Sequence, residues 1–113
     1  MKRAIFITTE QRKHANRVLI ETAAKYDAVP NDIIKPSKRV AIMEMKREFW
    51  ARLLWEVGLT TVWASRFAKR DHTTLLHAMR KMGEEYYGLP YRSSLAQIGE
   101  VWKAHNLAWR EAA

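Results

Sequence analysis

From residue 69 to residue 81 the chain reads Lys-Arg-Asp-His-Thr-Thr-Leu-Leu-His-Ala-Met-Arg-Lys, a polar head joined to a basic amphipathic helix. These side chains suit the edges and backbone of duplex DNA. Asp71 can accept a hydrogen bond from cytosine N4, and His72 and Thr73 can pack against thymine methyl groups. The Lys and Arg side chains of the run are of the type that meets phosphates, which set register rather than sequence. Folding alone does not require so dense a polar cluster at a helix start. The pattern points to a helix whose first turn faces a polyanion.

The charge distribution agrees. Between Lys35 and Lys81, eleven Lys and Arg stand against four Asp and Glu, so this stretch carries seven of the eight net positive charges of the chain. A charge concentrated in the middle of a small protein is the electrostatic footprint of a polyanion-binding face. The chain has 113 residues, 48% of them hydrophobic and five of them Trp, enough for one domain with a modest core. There is no Cys, which excludes disulfides and thiolate metal sites and suits a reducing cytoplasm. The apolar stretch near the N-terminus, Ala4-Ile5-Phe6-Ile7, is too short for a signal peptide or a membrane span. A cytoplasmic, nucleoid-associated protein with no membrane contact is expected.

The elements that position the polar head are helical. Thr8 and Gln11 have capping-box spacing, and Val18, Leu19, Thr22, Ala23 and Tyr26 then share one face, predicting a helix to about Tyr26. Val29 to Ile34 allows a short turn, closed by Pro36. A long helix is expected from Ser37 to Gly58, with Val40, Ile42 or Met43, Met45 or Lys46, Phe49, Trp50, Leu53, Leu54 and Val57 at helical spacing and Lys38, Arg39, Lys46, Arg47 and Arg52 on the other side. Thr60 should cap a short helix through Phe67, and Asp71 or His72 should start another that Gly88 ends, with Leu75, Leu76, Met79 and Met82 buried. Ser93 or Ser94 starts a last helix. Only Ala4 to Ile7 suggests a strand. The predicted class is all-α: a single-domain helical bundle with a helix-turn-helix at about 60–87 and a C-terminal helix at about 93–110.

Rival functions fit less well. The four His include His72 and His77, five residues apart, off the i, i+4 spacing of two ligands on one helix face. No H-E-x-x-H pattern, nucleophile elbow or phosphate loop is present, so neither an enzyme nor a metal or other cofactor is expected. An interaction adaptor without DNA binding would not need the polar head. RNA binding is disfavoured because the aromatic residues sit at buried spacing.

Phe67-x-x-Arg70-Asp71-His72-Thr73-Thr74-x-Leu76-His77-Ala78-x-Arg80-Lys81 closely resembles F-G-x-R-D-H-T-T-V-x-H-A-x-R-K-I, the signature of the C-terminal DNA-binding domain of the DnaA family of replication initiators. Upstream, Ala24-x-Tyr26 and Asp32-Ile33-Ile34 are similar to the family's first helix and D-L-L turn, and Ser37-Lys38-Arg39-Val40-Ala41 to its basic S-R-x-x-x-A entry. The likeness spans roughly residues 15–85 and is most specific at 67–81. It implies a Trp-repressor-like helical fold with the second helix in the major groove of an asymmetric box. Carried over by position, Asp71, His72 and Thr73 approach base edges. Lys38, Arg39, Lys46, Arg47, Lys69, Arg70, Thr74, His77 and Lys81 lie along the backbone. Lys38 and Arg39 stand where the family places a minor-groove arginine, although ungapped alignment puts Ser37 there.

Departures from the family bear on function. Ala64 and Ala68 replace two glycines and Trp63 an aliphatic residue, so the recognised box is expected to differ. No G-x-x-x-x-G-K-[ST] loop is present, so a nucleotide-switched initiator is not expected. The resemblance instead implies a stand-alone regulator of the phage or gene-transfer-agent activator type, or a competitor at initiator boxes. It would bind double-stranded DNA as a monomer, beside RNA polymerase or a sigma-like protein. Ser94 to Trp102 also resembles the family's S-L-x-x-I-G-x-x-F helix. This C-terminal helix is read either as packing onto the core or as a docking helix that exposes Trp102 and Trp109.

Overall fold

The computed structural model describes residues 7–36 and 39–112, without the side chains of Val40, Ala41 and residues 107–112. Six helices are described: α1 (Thr9–Lys25), α2 (Pro30–Ile34), α3 (Val40–Trp55), α4 (Thr61–Ala68), α5 (His72–Tyr87) and α6 (Leu95–Ala112). No strand occurs among the described residues, so the class is all-α. Most of the suggested strand at Ala4 to Ile7 lies outside them, as do Ser37 and Lys38. Among the described residues no helix is long and apolar enough to cross a membrane.

Local chemistry sets the helix starts. Thr8 and Gln11 exchange side-chain and backbone hydrogen bonds at 3.0 Å each, the reciprocal cap expected from their spacing. Thr60 Oγ1 accepts from the Trp63 amide at 3.3 Å. Ser94 accepts from the Gln97 amide at 3.1 Å while Gln97 Oε1 accepts from the Ser94 amide. Each cap satisfies amides that the first helical turn leaves without a partner. At the far end of α5, Gly88 takes a left-handed conformation (φ 65°), which lets the Leu89 amide reach back to the Gly83 carbonyl at 3.1 Å.

Every other helix packs on α3. Its Met45, Phe49, Trp50, Leu53 and Leu54 are buried at helical spacing and form the centre of the core. Ala15, Val18, Thr22 and Ala23 close it from α1, and Leu75, Met79 and Met82 from α5. The Phe49 and Phe67 rings, 6.3 Å apart, join α3 to α4. Ile98 and Trp102 of α6 are buried too, with the Trp102 ring 5.7 Å from Trp55. Trp102 is therefore a core residue, and an exposed Trp102 is corrected: α6 lies against α3 and α5. The Trp109 side chain falls outside the described residues.

Candidate nucleic-acid interface

Lys69, Arg70 and Asp71 separate α4 from α5. Lys69 adopts a left-handed backbone (φ 56°), and the Arg70 amide then bonds the Ser65 carbonyl at 2.9 Å. This closes α4 and turns the chain within three residues. Buried Ala64, Ala68, Leu75 and Met79 pack the two helices into a helix-turn-helix on α3.

The turn delivers Asp71, His72, Thr73 and Thr74 as one exposed set on the first turn of α5. Asp71 occupies the N-cap position with extended backbone (ψ 142°), yet its side chain caps nothing. Thr8, Thr60 and Ser94 do cap their helices. Aspartate is among the best N-cap residues, so an uncapped Asp71 leaves both its carboxylate and the first amides of α5 open to an outside partner. Its Oδ1 lies 3.5 Å from His72 Nδ1 instead. The three residues assigned to base edges thus sit together, and at the end of α5 whose dipole favours an anion.

The cations assigned to the backbone separate into three groups. Lys69 is exposed beside the head and Arg70 half-buried next to it. His77, one turn further along α5, is exposed and meets the Tyr91 hydroxyl through Nδ1, with the rings edge-on at 5.7 Å. Arg39 is exposed at the start of α3, whereas Lys38 lies outside the described residues. The second group is answered within the protein. Arg47 bonds Glu85 at 3.0 Å, and Lys81 lies 3.2 Å from Glu84 and 3.9 Å from Glu85. Arg52, placed on the outward face by the sequence, instead bonds Glu21 at 2.7 Å and Glu56 at 2.8 Å, and His14 joins Glu56 at 3.0 Å.

Lys46 forms the third group and requires a correction. It is 1% exposed, and its Nζ donates to the Lys35 carbonyl. Burial, and behind it the nearby charge of Arg70, pull its pKa below the ordinary lysine value. A side chain so enclosed cannot reach a phosphate; it ties the segment before α3 to the core.

Two contributors to this surface escaped sequence reasoning. Tyr91, in the loop after α5, holds His77 and lies 6.0 Å from the Arg80 guanidinium. The aromatic between Pro90 and Arg92 was the one available signal. Arg66 lies over the Trp63 ring at 5.0 Å, an i, i+3 pairing that helical spacing does predict.

Over 86 residues this chain is 34% identical to the chromosomal replication initiator protein DnaA of Treponema denticola. The chain is similar to the C-terminal region of DnaA. The alignment covers 74% of this chain and 18% of that initiator, so the chain spans less than a fifth of the relative it matches. No family model and no solved structure matches.

Proposed function

We propose that this chain binds double-stranded DNA in a sequence-specific manner through the first turn of α5, acting as a regulator by binding rather than by catalysis. The observation that carries this reading is the uncapped, exposed head Asp71-His72-Thr73-Thr74, presented by a tight turn that also brings Lys69 and Arg70 alongside. Base-edge recognition needs side chains at a helix N-terminus that are not already committed to the protein. Phosphate contacts then come from Arg39, Lys69, Arg70 and Thr74, with His77 flanking the groove. Similarity to a replication initiator supports DNA as the ligand.

The regulatory role is that of a transcription regulator working as a monomer beside a partner protein. The second reading, a modulator of replication at initiator boxes, is favoured by the identity to DnaA. One selection separates them. Purified protein is incubated with a random duplex library at physiological salt, and the retained duplexes are sequenced. A sharply defined box unlike the initiator's supports a dedicated transcription regulator, and a shared box supports interference with replication. Salt-sensitive retention with no enriched sequence would overturn sequence-specific binding.

A further inference from the structure

Beside the turn, on the side formed by α1, α2 and α4, lies a cleft of about 530 Å³. Its floor is apolar: Leu19, Ile34, Trp63 and Phe67, each half-buried. Its rim is cationic: Arg12, Arg66 and Lys69, all exposed. Among the described residues no carboxylate lines it and none of the three cations is in an ion pair. The contrast with α3 is instructive, since Arg47 and Arg52 there are each answered by a glutamate. The Arg66 guanidinium carbon lies 5.0 Å from the Trp63 ring centre, which holds the charge at the rim.

We infer that this cleft is a docking site for an acidic peptide segment of a partner protein, carrying an apolar or aromatic anchor flanked by Asp or Glu. The volume lies within the range of ligand pockets and accommodates anchoring side chains. Duplex phosphates would satisfy the rim but leave the apolar floor unfilled. Three cations contributed by α1, α4 and the turn call for several spaced carboxylates, which a peptide supplies and a single small acid does not. Lys69 immediately precedes Arg70 and Asp71, so a segment held here sits next to the DNA-facing head. The cleft shares Lys69 with the proposed phosphate contacts but none of the proposed base contacts, and the assignment is tested without DNA.

The test is selection of a displayed library of randomised peptides on the whole chain. Peptides with acidic residues around an aromatic or Leu should be enriched, and should bind Arg12→Glu/Arg66→Glu about tenfold or more weakly, the loss of one good polar contact. The control Lys13→Glu/Arg92→Glu makes the same net-charge change away from the cleft and should retain binding. If the double reversal lowers the melting temperature, Arg12→Gln carries the same comparison. The inference is overturned by failure to enrich such peptides, or by equal losses in both charge-reversed variants. It is also overturned if 2-naphthoate binds as tightly as the selected peptides, or if only a chain lacking residues 1–6 captures them, which would make the chain's own N-terminus the occupant.

Discussion

At the open end of α5 the Asp71 carboxylate stands 3.5 Å from the His72 imidazole, and both side chains are about two-thirds exposed, at 66% and 64%. An aspartate that declines its own helix amides, next to a histidine with no other side-chain partner among the described residues, is placed for contacts outside the protein. His72→Ala or Thr73→Ala is expected to weaken binding to the selected duplex by about 1–3 kcal/mol while changing binding to scrambled duplex little. Fluorescence anisotropy on the two duplexes measures the difference. Equal losses on both would remove these residues from base recognition.

Salt dependence distinguishes the cations that touch phosphates from those that serve the fold. Arg70→Ala should shrink the slope of log affinity against log salt by about 0.9, the counterion release of one phosphate contact. Lys46→Met should leave the slope unchanged, because the Lys46 ammonium is buried against the Lys35 carbonyl. A matching fall in slope for Lys46→Met would mean that its side chain leaves the core when DNA binds.

The α6 interface has a steric signature. A Cβ added to Gly99 would lie 2.4 Å from Trp55 Nε1 and 2.7 Å from Trp55 Cδ1. The Trp55 ring is packed against Trp102 at 5.7 Å, so it has little room to withdraw. Gly99→Ala is expected to destabilise the protein by about 1–3 kcal/mol. Gly83→Ala meets Ile98 Cγ1 at 3.2 Å, a milder approach to a buried β-branched side chain that must give by a few tenths of an ångström, and its gain in helix propensity, about 1 kcal/mol, should offset part of that cost. Urea denaturation of both variants compares them directly; a Gly99→Ala protein as stable as the parent would contradict the observed packing.

What the sequence made legible was local. Caps at Thr8, Thr60 and Ser94 depend on residues three apart, and the buried stripe of α5 follows from spacing, with Leu76 alone of its four members only half-buried. Lys46 was misassigned although 46, 50, 53 and 57 share one helical face, because a lysine on an apolar stripe is ordinarily read by its charge. The ion pairs between helices were not legible, unlike the i, i+3 and i, i+4 pairs of Arg52 and Lys81: Arg47 and Glu85 are 38 residues apart, Arg52 and Glu21 31, and His14 and Glu56 42. Which cations remain available to a polyanion is thus a property of helix packing. The exposed head of α5 was legible since the polar run and the turn that presents it are adjacent in the chain.

Tyr26 gives the fold a pH dependence of known sign. Its hydroxyl donates to Glu48 at 3.1 Å, and Lys25 bonds the same carboxylate oxygen at 2.8 Å. Burial, then the charge of Glu48 and this hydrogen bond, raise the Tyr26 pKa well above its ordinary value of 10.0. A raised pKa means that the folded protein holds the proton more tightly than the unfolded chain. The resulting stability is complete below pH 10.0 and is lost as pH rises from there through the higher folded-state value. Tyr26→Phe removes the hydroxyl and should cost about 0.5–1.5 kcal/mol at neutral pH, the net worth of one hydrogen bond. Above pH 10.0 the parent should progressively lose this advantage. Urea midpoints of the two proteins between neutral and strongly alkaline pH test the convergence, and a constant gap across that range would contradict a folded-state Tyr26 held neutral by burial and Glu48.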